Sequence, residues 1–363
     1  MADSRQTHQV FTLKTHIQRG DAAPWWKQGR YKFVFDAIGE RYIVLGFCGS
    51  GHEAAAQARF RSVHEHGDLL NGKVGFFCVC SDAEDGIALE IEQSFPTFKF
   101  LWDFDATLNT AYGIGPNKVW IVLDTMLRVI DVIPFKEDTG DLRQLANLLA
   151  SLPPPSLYLG FETPAPILVL PDVFEPEFCG HLIGCYEAHG GRESGFMQEV
   201  GGKAVEMYDA GWKRRKDCLL TDENLIELIK QRLARRVGLM MQKAFQFKLS
   251  RMERHLVACY SAEDGGHFGP HRDDTVRATE HRRFAASINL NDDFDGGEIS
   301  FPEFGSRQFK APIGAALIFS SSLLHCVSKV TRGRRYAFLP FLHDEEAEKV
   351  RQANLRFLSV GAG

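Results

Sequence analysis

Apolar residues fall in short blocks along the first 150 positions, and the blocks differ in period. Residues 42–47 (YIVLGF) and 74–80 (VGFFCVC) are continuous apolar runs of strand length, the form that a strand buried on both faces takes. Between them, 52–64 is rich in Ala and predicts a helix. A short helix is expected at 105–112. Two further strands are expected at 119–123 (VWIVL) and 129–133 (VIDVI), joined by a turn over 124–128. Residues 142–152 (LRQLANLLASL) read as a helix with one apolar face. Strand–helix alternation closing in a hairpin predicts a central sheet covered by helices, an α/β unit.

Pro153, Pro154 and Pro155 stop the last of these helices, because proline removes a backbone donor and clashes with the preceding turn. With Pro164 and Pro166 they predict a stiff, extended connector of about ten residues. Beyond it the pattern changes. Leu225, Ile229, Leu233 and Val237 recur every fourth residue and form one helical stripe, with Thr221 as its cap and Asp222 and Glu223 in its first turn. From Leu256 on, short apolar runs alternate with Gly-rich turns: LVACY, FAASINL, EISF, AALIFSS and YAFLPFL. That profile predicts a β-sandwich or jelly roll, with the earlier helices packed outside it. The expected organisation is a first domain at 20–152, a linker at 153–165, a second domain at 166–345 and a tail at 346–363.

Length and charge narrow the class. At roughly 100–200 residues per domain, 363 residues suit two domains. A net charge of −5 argues against a broad nucleic-acid surface, and no nucleic-acid partner is expected. No apolar run approaches the ~18 residues of a membrane span, and the polar N-terminus does not read as a secretory signal. The eight cysteines show no CxxC pair or zinc-type spacing, so buried thiols in a reducing, cytoplasmic setting are expected.

The richest chemistry lies in GGHFGPHRDD, at 265–274. His271 and Asp273 are two apart, which on a strand places both on one face. The glycines and Pro270 favour a loop over a helical pairing of His267 with His271. His325 follows a strand-like run and supplies a third donor. Two histidines and a carboxylate, with other coordination positions open, are the facial set of non-haem Fe(II) oxygenases. Arg335, at the entry to YAFLPF, offers a planar fork to a carboxylate; Arg332 and Arg334 are its rivals. Tyr260 could donate its hydroxyl to the same carboxylate, and Asn289 could line the pocket or simply end a strand. His281 and His343 are expected to be exposed. The run Lys213–Lys216 (KRRK) is read as a solvated face without a role.

These motifs resemble the prolyl-hydroxylase-like branch of the 2-oxoglutarate oxygenases, over about residues 166–345. VACY followed by a Gly-bearing loop and HxD is similar to the hypoxia-sensing prolyl hydroxylases. HxVxxVxxGxR, from His325 to Arg335, is similar to bacterial relatives of that branch. GGEISF at 296–301 resembles the family's Gly-Gly-Glu strand entry, and ILVLPDVFEPEFCGHLI its opening helix region. The resemblance implies a double-stranded β-helix and the use of Fe(II), 2-oxoglutarate and O2, often with ascorbate as reductant. It implies iron at His271, Asp273 and His325, and the far carboxylate of 2-oxoglutarate at Arg335. The reaction implied is hydroxylation of a peptide, protein or small molecule with release of succinate and CO2.

Residues 20–152 resemble the peroxiredoxin branch of the thioredoxin-like fold, through GDAAPWW, YIVLGF, and WDFDATLNTAYGI followed by VWIVLDTMLRVI. The loop after the first strand departs from that family. It reads GSGHEAAA, with no Cys, Thr or Pro where a helix N-terminus would lower a thiol pKa. Lys118 stands about where the family has an activating Arg. A redox-inactive domain is expected, serving recruitment, homodimerisation or core support. Cys78 and Cys80 share a strand face as packed thiols. The alternatives are a thiol peroxidase using Cys48, and a non-catalytic binding protein. The intact donor set argues against the latter, since buried charges without partners destabilise.

Overall fold

The computed structural model describes residues 17–24, 26–28, 33–34, 38, 41–65, 73–82, 97–157, 160 and 163–358. Trp25 of the GDAAPWW stretch and the last five residues lie outside the described set. The chain divides into two compact units: Met1–Trp26 with Glu40–Gly160, and Lys27–Gly39 with Phe161–Gly363. In the second, β1 (Lys27–Gln28) and β2 (Phe33–Val34) form a two-residue antiparallel ladder.

The first unit runs β3 (Tyr42–Gly49), α1 (Ala54–Glu65), β4 (Val74–Cys80), β5 (Phe98–Trp102), α2 (Thr107–Tyr112), β6 (Val119–Leu123), β7 (Val129–Pro134) and α3 (Gly140–Ser151). The strands form one sheet in the order β5-β4-β3-β6-β7. β3, β4 and β5 are parallel, and β6 and β7 complete the sheet antiparallel. β4 and β6 are buried at every position, which is why both read as unbroken apolar runs. β5 was not expected, because Lys99 interrupts its apolar pattern (FKFLW). A buried ion pair ties α1 to α3: the Arg59 guanidinium donates to both Asp141 carboxylate oxygens, at 2.8 and 2.9 Å, and Trp120 Nε1 donates to the same carboxylate.

The proline joint is not extended throughout. Pro155–Leu157 form a 3-10 turn, with Leu157 N donating to Pro154 O at 2.8 Å. Proline's fixed φ near −65° suits a 3-10 turn as well as an extended chain, so composition alone does not separate them.

The second unit is β-rich. A larger sheet orders β14 (Arg251–Glu253), β23 (Phe341–His343), β17 (Phe284–Asn289), β22 (Arg334–Phe338), β15 (Leu256–Ser261), β13 (Lys216–Leu219) and β9 (Arg192–Glu193). β20 (Ala316–Ser320) pairs with β17 and with β8 (Leu168–Leu170). A smaller sheet orders β12 (Lys213–Arg214), β16 (His267–His271), β21 (His325–Val327), β18 (Ile299–Ser300) and β19 (Gln308–Phe309). β10 (Phe196–Val200) and β11 (Lys203–Met207) form a separate hairpin. Side chains alternate along the large sheet with period two. Leu256, Ala258 and Tyr260 join Phe268, Ile299 and Val327 of the small sheet in one core. Val257 and Cys259 face the other way, against α4 (Pro176–His189) and α5 (Glu223–Leu233). Two sheets enclosing a core, with helices on one outer face, are consistent with a jelly roll.

Helix α5 and the turn after it carry the predicted stripe: Leu225, Ile229 and Leu233 of the helix and Val237 beyond it are all buried. Its path continues through a π-turn at Ala234–Gly238 into α6 (Leu239–Phe245). The cap is Asp222, one residue later than expected; its carboxylate accepts from the backbone N of Asn224 and Leu225. The C-terminal stretch read as a tail carries α7 (Glu345–Asn354), capped by Asp344. His281 and His343, expected to be exposed, are buried. Each lies against a half-buried carboxylate: His281 Nε2 is 2.9 Å from Glu253, and His343 Nε2 is 2.8 Å from Glu348 of α7.

Candidate metal centre

His271 is the last residue of β16 and stands opposite His325, the first residue of β21, in the antiparallel register. The GGHFGPH stretch is thus strand at its end, not loop throughout. Asp273 lies in the bend beyond it, so a shared strand face does not bring it to His271; the bend does. Its backbone N donates to Ser321 O at 2.9 Å. Its carboxylate oxygens lie 3.7 Å from His271 Nε2 and 3.4 Å from His325 Nε2. All three donor atoms fall within 4.8 Å of one another. Metal–ligand bonds of about 2.1 Å at right angles separate ligand atoms by about 3 Å, so a small contraction suffices to hold one ion.

Both imidazoles are oriented from behind. His271 Nδ1 is 2.8 Å from Gly269 O, and His325 Nδ1 is 2.9 Å from Leu323 O. A carbonyl accepts from an Nδ1–H, so each contact turns the ring with its Nε2 toward the carboxylate. Burial, reinforced by His325 beside it, pushes the His271 pKa well below the ordinary imidazole value, so the ring is neutral at pH 7. Phe268 stacks on His271 at 3.5 Å between ring centroids, and Phe319 lies 4.6 Å from His325. Those rings keep water from the backs of the ligands.

Arg335 pairs in register with Tyr260, across β22 and β15. It is 2% exposed. Its Nε donates to Asn289 Oδ1 at 3.0 Å and its Nη2 to Ser287 Oγ at 2.7 Å, while its buried Nη1 has no partner among the described residues. Burial lowers its pKa. Arg332 and Arg334 are exposed and pair with Asp295 and Glu263. Gly297 gives Arg335 its room: φ is +71°, and a Cβ there would come 3.0 Å from Arg335 Cδ. Asn289 ends β17, and its Nδ2 donates to Ala311 O at 2.7 Å. With both ends of its amide engaged, it orients Arg335. Tyr260 is buried, and its hydroxyl oxygen accepts from Arg215 Nη1 at 3.4 Å.

The run Lys213–Lys216, read as a solvated face, is not one. Lys213 and Arg215 are buried, while Arg214 and Lys216 are exposed. Arg215 grips Asp217 with two bonds of 2.7 Å. Lys213 Nζ donates to Ser194 Oγ at 2.9 Å and to Gly195 O, and lies over the Phe268 ring. Every second cation of KRRK points inward, an alternation that four like residues in a row conceal in the sequence. In the first unit, Cys48 is fully buried with its Sγ 3.4 Å from that of Cys80, and Lys118 pairs with Glu53.

Residues 255–343 match the family model described as "2OG-Fe(II) oxygenase superfamily". The chain is similar to a PKHD-type hydroxylase of a Synechococcus strain, 34% identical over 125 residues, which are 32% of this chain and 53% of that protein. It is also similar to a PKHD-type hydroxylase of Pseudomonas fluorescens, 38% identical over 91 residues, or 23% of this chain and 39% of that one. The chain thus spans about half the length, or less, of the curated relatives it matches. Among solved structures it is similar to a prolyl hydroxylase from Trichoplax adhaerens in complex with a hypoxia-inducible-factor peptide fragment. There the identity is 16% and the TM-score 0.38, covering 60% of this chain and 97% of that one. Within the second unit, residues 255–343 are therefore the part of the chain that is similar to the 2OG-Fe(II) oxygenase superfamily.

Proposed function

We propose that the protein is an Fe(II)- and 2-oxoglutarate-dependent oxygenase. It would hydroxylate a peptide or protein side chain, or a small molecule, with release of succinate and CO2. One observation carries this reading. Three donor atoms of the facial type converge within 4.8 Å, and the same sandwich core holds a buried guanidinium whose Nη1 has no partner among the described residues. Uncompensated burial of a charge is expensive, so Arg335 fits a site that receives a carboxylate.

His271 and His325 offer their Nε2 atoms, and Asp273 offers its carboxylate. Arg335, aligned by Asn289 and Ser287, offers Nη1 to the far carboxylate of 2-oxoglutarate. Tyr260 accepts from Arg215 and keeps its own hydrogen to donate to that carboxylate. Iron and 2-oxoglutarate, when bound, supply the oxidative chemistry. The test is succinate formation from 2-oxoglutarate with Fe(II), ascorbate and air, beside His325→Ala. Succinate from the wild type above the variant's level is expected. A wild type that neither forms succinate nor binds iron contradicts the proposal.

For the first unit the reading is a thioredoxin-like fold of peroxiredoxin type without peroxidase activity. The β5-β4-β3-β6-β7 order, with three parallel strands and an antiparallel hairpin, supports it. The full burial of Cys48 argues against a thiol nucleophile there. The protein should consume no hydroperoxide with added thiol, and consumption abolished by Cys48→Ala would overturn this.

A further inference from the structure

We propose that the buried Arg272–Glu303 pair is a positioning device that sets the separation of the two ligand-bearing segments of the metal centre. The inference rests on reading His271, Asp273 and His325 as the ligands. Arg272 stands between His271 and Asp273 in sequence. Glu303 comes from a distant 3-10 turn, Pro302–Phe304, that follows β18. Their side chains are 4% and 11% exposed. The fork is bidentate: Nη2 donates to Oε1 at 2.8 Å and Nη1 to Oε2 at 3.1 Å.

The pair also reaches the segment that carries His325. Glu303 Oε2 accepts from the backbone N of Leu324, the residue before that ligand, at 3.1 Å. Arg272 Nη1 donates to Ser322 O as well. Around it, Asp273 N donates to Ser321 O, and Ser322 Oγ donates to Asp274 Oδ2. Residues 271–274 and 321–325 lie about fifty positions apart in sequence, and a single ion pair anchors both.

Stability does not account for such a pair. Two charges lose their hydration on burial, and apolar residues of similar volume often hold a fold equally well. What the pair adds is geometry. A planar guanidinium held at two points restricts the backbone of Arg272, and hence the ligands on either side of it. The Leu324 bond fixes the chain before His325, whose ring is held in turn by Leu323 O. Groups in this position behind metal ligands commonly change metal affinity about 10–100-fold when removed.

The test uses the full chain, stripped with a chelator, and Mn(II) as the probe, read by the resonance of the free ion. Co(II) absorption reports the coordination geometry. Glu303→Gln and Arg272→Met should each weaken Mn(II) binding about 10–100-fold and alter the Co(II) spectrum. The double variant Arg272→Met/Glu303→Met separates positioning from folding, and it carries the test alone if a single variant does not fold. It should regain the metal-free melting temperature of the wild type but not its Mn(II) affinity. Wild-type affinity in either single variant overturns the proposal, as does affinity that returns with stability in the double variant. His271→Ala distinguishes the underlying reading: Mn(II) bound there as in the wild type means that the ligands, not the clamp, are misassigned.

Discussion

Arg335 is a buried cation whose hydrogen-bond partners are an amide and a hydroxyl, neither of which carries charge. Arg335→Ala should raise the 2-oxoglutarate requirement by about 2–5 kcal/mol of lost charged pairing, read as the Michaelis constant for that co-substrate. An unchanged constant would assign the role to another cation. Arg335→Lys should recover only part, since an ammonium lacks the fork. The candidate donors were legible as residue types, HxD and a distant His, and the structure brings these three within 4.8 Å, though by a bend and not by the shared strand face that the spacing suggested. Choosing Arg335 over Arg332 and Arg334 needed strand phase, which YAFLPF supplies. The inward placement of Lys213 and Arg215 was not legible, because a run of four cations hides the alternation that buries two of them. Nor was the Arg272–Glu303 pair, which joins positions 31 apart and depends on register.

Strands were legible where both faces are covered, because continuous apolar runs result; β4, β6 and β15 are of this kind. Short strands whose side chains are partly charged, such as β5, β11 and β13, gave no such run. Helix α5 was legible from its stripe, while its cap differed by one position because Thr221 and Asp222 are both good caps. The proline joint shows composition fixing φ but not the fold of the segment. β13 also carries a pH-dependent contribution. Burial alone would raise the Asp217 pKa, but Arg215 and Arg254 outweigh it and hold it at about 2. Its unfolded value is about 3.9, so the stabilisation is complete above that pH and is lost as pH falls through the folded value. Denaturant titration should show the stability gap between wild type and Asp217→Asn shrinking by about 2 kcal/mol from pH 5 to pH 2. A constant gap would mean that the carboxylate is not held by the two arginines.

At the scale of the molecule, a chain of net charge −5 carries two units of different architecture, and among the described residues no helix is long and apolar enough to cross a membrane. The oxygenase family match lies within the second unit. Lys213, Arg215 and Arg335 are buried in that unit, with Arg215 paired to Asp217. The most direct measurement is calorimetric titration of 2-oxoglutarate into the full chain without oxygen, with and without Mn(II), beside His325→Ala. One equivalent should bind tightly to the metal-loaded wild type, and binding should weaken strongly without metal or in the variant. Equal affinity in all three would contradict a centre built from His271, Asp273 and His325.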